Sequence, residues 1–376
     1  MIRYQPLSDF LTEYTLRNDN NQYKPVAVGR YGIRTRDSIY TKELAKDYSK
    51  NKVIYQDTLT VGMGSVQIDI GILTEDIRYS VSPAYHTYQI RNINPAYLRY
   101  CLECRNQDMF TRFVKRGSRQ GKSIDLKRWL TYEIPVFDER KQAEIVAVLD
   151  RISTQVANRQ EQLELFEQLV KSRFIELFES KSWETVRVDS IMFNMRNGVS
   201  PSNVGNHPAK VLTLSAITQG DFDPNSWKDG MFETEPPIEK RVTASDFYMC
   251  RGNGNKKLVG AGVYSKENRY DLVFPDTAIA ATVDLQRVCL PYLFHAWKRP
   301  SVRDQIEACA RTTNGTYKIN QGVISNIELF LPPIDLQEQF AAFVEQTDKS
   351  KYFIQSTIEN YLLIKKSSWR EKHDYN

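Results

Sequence analysis

"LPPIDLQEQF", residues 331–340, reads as the end of a strand, a turn at the prolines, and the first turn of a helix. Nearly the same construction occurs earlier as "IPVFDERKQA", residues 134–143. A shift of 197 residues lays Pro135 on Pro332, Asp138 on Asp335 and Gln142 on Gln339. A shift of 195 lays Tyr97-Leu98 on Tyr292-Leu293 and Ile124-Asp125 on Ile319-Asn320, and a shift of 190 lays "GMG" at 62–64 on "GNG" at 252–254. The matches keep one order in both halves, with offsets that loop insertions would produce. They predict a two-fold internal repeat.

Each half changes character once. Short β-type runs such as "NKVIYQ", "KVLTLSAI" and "NIELFLP" come first, broken by Gly, Pro and Asn. Helical stretches intervene, "PAYLRYCLECRNQDMFTRFV" in one half and "PYLFHAWKRPSVRDQIEACA" in the other. A long helix follows each. The first starts near Asp138, whose carboxylate can cap free N–H groups. Ile145, Leu149, Ile152, Val156, Leu163, Phe166, Val170 and Leu177 then fall at steps of four and three, with Arg159 and Arg173 at the two interrupting positions. From Asp335 the second helix repeats the rhythm with Phe340, Val344, Thr347, Ile354, Ile358 and Tyr361, interrupted by Lys351, for about 30 residues before a polar tail, "WREKHDYN". A helix this long leaves its apolar stripe wet unless a partner of similar length covers it. The economical arrangement packs the two helices on each other; the alternative gives each seam to a separate subunit.

The expected class is therefore α+β: two mixed α/β domains joined by two long antiparallel coiled-coil-like helices, with a pseudo-two-fold internal repeat. The expected boundaries are 1–137 for the first domain, 138–181 for the central helix, 182–334 for the second domain, and 335–376 for the C-terminal helix and tail. At 376 residues two or more domains are the prior, and 41% hydrophobic content supports packed cores. The N-terminus lacks a signal-peptide pattern, no apolar run reaches membrane-spanning length, and five cysteines suit a reducing compartment, so a soluble, cytoplasmic protein is expected. The net charge of +5 is uneven: residues 1–137 carry 21 Lys and Arg against 14 Asp and Glu, or +7. A polyanion-binding head on a neutral frame fits that distribution, as does an ordinary solvated surface.

Taken together, "IPVFDERKQAEIVAVLD" and "LPPIDLQEQFAAFVEQTD" at the junctions, "GSRQGKSID" and "GTYKIN" ahead of them, and "WETVRVDSI" opening the second domain resemble the specificity (S) subunit of type I restriction–modification systems across essentially the whole chain. The second junction is nearer the family's usual "PP…EQ" than the first. The resemblance implies two target recognition domains, each reading one half of a bipartite double-stranded DNA sequence. It also implies helices that set the spacer and dock two methyltransferase (M) subunits, with restriction (R) subunits in the full complex. Cofactors are implied on those partners alone: S-adenosylmethionine, ATP and Mg, and none in this subunit.

The densest basic segment, "TRFVKRGSRQGKS", offers Arg112, Lys115, Arg116, Arg119 and Lys122 without an intervening acid, interleaved with glycines that let backbone approach phosphates. Its counterpart, "ARTTNGTYKIN", offers Arg311, Asn314, Tyr317 and Lys318. "GRYGIRTR" adds Arg30, Tyr31, Arg34 and Arg36, and "RGNGNKK" adds Arg251, Asn253, Asn255, Lys256 and Lys257. These are the DNA-binding candidates, with a flexible solvated loop as the plain alternative. The Gly-x-Gly elements lack the Lys-Ser/Thr ending of a P-loop and read as turns.

No catalytic or metal-binding set is expected. The Pro-Pro pairs, in "TEPPIE" and "FLPPID", lack the Asn or Asp and the aromatic residue of an amino-methyltransferase motif. The charges of "PVFDERK" suit a helix's first turn, and Cys101 and Cys104 have metal-ligand spacing but no second pair nearby. A non-catalytic DNA-recognition subunit is the leading expectation. The alternatives are the specificity component of a related bipartite-site type II system and a coiled-coil scaffold with no DNA role.

Overall fold

The computed structural model describes residues 3–29, 32–39, 47–117, 121–202, 204–313 and 315–370. The chain forms two compact units, Met1–Gln160 with Thr357–Asn376, and Glu161–Ser356. Both boundaries fall inside long helices, Glu139–Phe174 and Ile334–Arg370.

Unit 1 is built on a four-stranded antiparallel sheet in the order Leu11–Tyr14, His86–Ile90, Thr58–Met63, Ile68–Leu73. Leu59, Val61, Ile68, Tyr88 and Ile90 point from it into a core shared with Tyr97, Leu98, Cys101 and Met109 of the helix Pro95–Phe113. That helix begins because Asn94 caps it, its side chain accepting from the Tyr97 N–H at 3.1 Å, with Pro95 in the first turn. It ends where the chain turns extended into a hairpin, Val114–Gly117 with Gly121–Ile124. The strand Glu133–Val136 then pairs with Arg3–Pro6, closing the head and delivering the chain to the long helix.

Unit 2 repeats the plan. Its four-stranded antiparallel sheet runs Met192–Asn197, Ala278–Val283, Asp246–Cys250, Gly262–Tyr264. The order is that of unit 1, strand for strand. Thr185–Arg187 pairs with Glu328–Phe330 as Arg3–Pro6 does with Glu133–Val136. The helical stretch is here two helices, Leu290–Trp297 and Pro300–Cys309, because Pro300 cannot continue the first. The expected strand "KVLTLSAI" stops at Leu212; Ser215–Thr218 is a helical turn. The second sheet, Trp227–Phe232, His207–Leu212, Arg269–Val273, Arg241–Val242, has no four-stranded counterpart among the described residues of unit 1, where two separate strand pairs occur instead.

Both junctions use a buried glutamine, and its hydrogen bonds correct the sequence register. Gln142 accepts from the Asn94 N–H at 2.9 Å and donates to the Phe137 carbonyl at 2.8 Å. Gln337 accepts from the Cys289 N–H at 2.9 Å and donates to the Pro332 carbonyl at 2.8 Å. Gln142 therefore corresponds to Gln337, not Gln339, so the junction obeys the same shift of 195 as Tyr97 and Tyr292. The Tyr97 and Tyr292 hydroxyls donate to the equivalent carbonyls, Pro135 and Phe330. The prolines that suggest a shift of 197 are simply placed differently in the two turns. Likewise, strand pairing sets Thr58 against Gln89 and Asp246 against Thr282, so Gly64 rather than Gly62 corresponds to Gly252.

Along the first long helix Leu149 and Val170 are buried, and Ile145, Ile152, Val156, Leu163, Phe166 and Leu177 are half-buried, as are Arg159 and Arg173 between them. Asp138 caps this helix, accepting from the Lys141 N–H at 2.9 Å. On the second, Phe340, Val344, Thr347, Ile354 and Ile358 are buried and Tyr361 half-buried. That helix runs to Arg370, past the start of the polar tail. In unit 2, Phe174 near the end of the first helix meets Phe340 near the start of the second, ring centroids 5.4 Å apart, as antiparallel neighbours do. Tyr292 and Phe178 complete this aromatic joint.

His295 sits in the same joint, its ring 5.2 Å from that of Phe340. Burial, helped by the nearby Lys298 and Lys351 and opposed by Asp348, lowers its pKa to about 4. The neutral ring is thus favoured in the folded state, and the contribution is complete above the unfolded pKa near 6.5. Stability is expected to fall by up to about 3 kcal/mol as pH drops from about 6.5 to about 4. Urea unfolding of wild type and His295→Leu at both pH values tests this; equal losses in the two proteins would overturn it.

Candidate nucleic-acid interface

The basic segments lie on paired hairpins at equivalent places. In unit 1 Arg116 is directly opposite Lys122, and in unit 2 Arg311 is directly opposite Lys318. Both turns close through a glycine in the left-handed region, Gly121 at φ +76° and Gly315 at φ +74°, which a side chain would strain. Like charges directly across a strand pair repel. Both hairpins therefore carry a pairing that does not favour stability.

The surroundings differ. In unit 1, acids from outside the basic run supply partners that the local sequence does not suggest. Arg112 is paired with Asp108 at 2.7 Å, and Lys115 with Asp125 at 2.7 Å. Hydrogen bonds from Lys115 and the Arg128 N–H hold the Asp125 carboxyl below its ordinary range. Lys122 donates to the Ser65 carbonyl and lies over the Phe110 ring, tying the hairpin to the turn after Met63. Arg34 is exposed on the hairpin Val26–Gly29 with Gly32–Thr35. Arg36 lies over the Tyr48 ring and lines a cleft of about 290 Å³ with Gly62, Met63 and Tyr85. Arg30, Tyr31, Arg119 and Asn314 lie outside the described residues, and of Arg116 the backbone alone is described.

In unit 2 two candidate segments, distant in sequence, become one ribbon. Gly252-Asn253 pairs with Tyr317-Lys318, which pairs in turn with Arg311–Thr313. The strands approach closely there: an added Cβ on Gly252 would stand 3.2 Å from Lys318 Cγ, and the lysine side chain would have to shift by a few tenths of an ångström. The loop beyond is set by its own asparagines: Asn253 accepts from the Asn255 N–H at 2.8 Å and Asn255 from the Lys257 N–H at 3.1 Å. Lys257 is exposed and Lys256 half-buried. Arg303, unremarkable in the sequence, braces the loop by donating to the Lys257 and Val259 carbonyls at 3.0 and 2.9 Å. Nothing in the spacing of Arg303 reveals this role, because its targets are backbone.

Cys101 is buried in the core of unit 1 with its thiol pushed up to about 12, whereas Cys104 is exposed. No group of three or more His, Cys, Asp or Glu residues suited to a metal occurs among the described residues. Nor, among them, is any helix long and apolar enough to cross a membrane.

The two heads of one sheet order, each ending in a long helix, have the fold of type I restriction–modification specificity subunits. The structure matches the S subunit of a type I system from M. genitalium with a TM-score of 0.56 at 12% identity, over 98% of this chain and 94% of that one. A chain solved in work on complex assembly and conformational transition of the type I R-M system matches with a TM-score of 0.56 at 15% identity, over 97% and 96%. In sequence the chain is 28% identical over 186 residues to the specificity subunit of the type I restriction enzyme EcoKI from Escherichia coli K12. That match spans 48% of this chain and 39% of the relative's length. No family model matches the sequence.

Proposed function

We propose that the chain is the DNA sequence-recognition subunit of a type I restriction–modification complex. Each unit reads one half of a bipartite duplex target, and the long helices set the spacer and dock two methyltransferase subunits, with restriction subunits joining the full assembly. The chain itself performs no chemistry; S-adenosylmethionine, ATP and Mg act on the partner subunits. The observation that carries this reading is the cation-bearing hairpin found at the equivalent point of each head, with an arginine opposite a lysine in both, one register step apart. A bipartite target with two separated half-sites needs two readers on one frame.

Binding of randomised duplex DNA by the chain assembled with methyltransferase subunits tests the proposal. Selection of a two-part sequence is expected, and absence of any sequence-selective binding in the assembled complex would overturn it. The ruler role has its own test. Four residues inserted into each long helix add about 6 Å, under two base pairs of duplex at about 3.4 Å each. The selected spacer is expected to lengthen by about one to two base pairs; an unchanged spacer counts against the ruler.

A further inference from the structure

The geometry points to a phosphodiester-binding cleft at the root of the second hairpin, built by Arg251, Arg311 and Lys318. It rests on the DNA-recognition reading above and assigns one part of the interface a definite chemical task. The three cations line one cleft of about 330 Å³, together with Asn320 and Cys309. Among the described residues no acidic side chain lines it. Arg311 and Lys318 face each other directly across the strand pair. Arg251 is positioned beside them because Gly252 pairs with Lys318 and the Ile319 N–H donates to the Arg251 carbonyl at 2.9 Å. One guanidinium hydrogen of Arg251 goes to the Asp276 carbonyl at 3.3 Å, which orients the group without neutralising it.

Comparison with unit 1 sharpens the assignment. The residue that caps the short helix after the hairpin is Asp125 there, accepting from the Arg128 N–H, and Asn320 here, accepting from the Val323 N–H. Asp125 is ion-paired with Lys115 in the first hairpin. The same position in unit 2 is neutral, and the cations around it keep their charge available. Three like charges gathered at one cleft repel one another, and an anion between them converts that repulsion into attraction. A phosphodiester has the required charge and presents oxygens that Arg and Lys recognise. A contact of this kind fixes the register of the head on the duplex and carries no base information.

The test uses the full chain assembled with its methyltransferase partners and compares wild type with the triple variant Arg251→Gln, Arg311→Gln, Lys318→Gln. With the cleft's one phosphate contact removed, the slope of log affinity against log salt is expected to shallow by about 0.9. Expressed as the change in affinity between 50 and 200 mM salt, that is about 3.5-fold less salt sensitivity. The weakening should be uniform across target and unrelated sequences. Thermal unfolding of the triple variant checks that it folds. An acid placed in the cleft by Asn320→Asp gives an independent second variant, expected to weaken DNA binding while reproducing a cap that unit 1 already tolerates. A wild-type slope in both variants overturns the cleft and leaves the recognition function standing. Loss of selectivity without a change of slope also overturns it, assigning base reading instead. Site-resolved alkylation of the exposed Cys309 separates the possible anions. Protection by duplex DNA but not by inorganic phosphate at equal phosphate concentration supports a backbone contact, whereas equal protection by inorganic phosphate overturns it in favour of a free-anion site. Failure of the wild-type assembly to bind any duplex overturns the recognition function itself.

Discussion

Alanine at Asp246 is expected to destabilise unit 2 by about 3 to 5 kcal/mol, the range for removing one partner of a buried ion pair. Asp246 is 1% exposed and lies 2.6 Å from Arg196 Nη2. Its carboxylate also accepts from Thr243 and Thr282 at 2.7 and 2.8 Å. These donors come from separate parts of the central sheet: Arg196 from the strand Met192–Asn197 and Thr282 from Ala278–Val283. Without the carboxylate, a largely buried guanidinium and two hydroxyls lose an acceptor together. The strand that Asp246 opens runs straight into Arg251, so loosening this network also loosens the root of the cation cleft. Chemical denaturation of the chain in its assembly measures the effect. The double variant Asp246→Leu, Arg196→Met is expected to recover much of the loss, because well-packed apolar residues can replace a buried pair with little cost. A single Asp246→Ala variant within about 1 kcal/mol of wild type would show that water or a neighbouring group takes over the carboxylate's role.

The two heads show which features sequence carries. The repeat is legible because it rests on local rules: a proline turn, a capping residue, an apolar rhythm, each written in a few adjacent positions. Tyr97 and Tyr292, and Asp125 and Asn320, align at one shift because each makes the same contact in each head. The junction register inferred from sequence is off by two residues because prolines are conspicuous, whereas the structural requirement sits on Gln142 and Gln337. What those glutamines bond is backbone from other segments, and backbone leaves no signature in sequence. The paired acids of unit 1 are hidden for a similar reason. "TRFVKRGSRQGKS" contains no carboxylate, yet Asp108 is one helical turn before Arg112, and Asp125 lies just beyond the run, opposite Phe113 through its N–H. The joining of "RGNGNKK" to "GTYKIN" spans more than sixty residues of chain and depends on a strand pair only two residues long on one side. Such short pairings are decided by the sheet they extend and not by their own propensity.

Leucine at Gln337 is expected to cost about 3 to 5 kcal/mol, and at Gln142 somewhat less, because each orphaned buried group costs about 1 to 3 kcal/mol. Gln337 satisfies three backbone groups: the Cys289 N–H and the Pro332 and Arg287 carbonyls, the last at 3.0 Å. Gln142 satisfies two, the Asn94 N–H and the Phe137 carbonyl. The two side chains are buried, Gln337 at 0% and Gln142 at 5% exposure, so water does not readily replace them. Glutamate distinguishes hydrogen bonding from packing. It has the shape of glutamine, but when ionised it turns an acceptor toward carbonyl oxygens where a donor is required. Burial beside those carbonyls raises the folded-state pKa of the introduced acid above its unfolded value near 4.3. Stability of Gln337→Glu should then be greatest at acid pH, where the protonated carboxyl donates, and be lost as pH rises through the folded pKa. His295 drives wild type in the opposite direction over the same range, so the comparison is made in a His295→Leu background. A Gln337→Glu protein in that background whose stability is independent of pH would mean that the carbonyls are served by water, and the joint would then be held by the aromatic contacts of Phe174, Tyr292 and Phe340 alone.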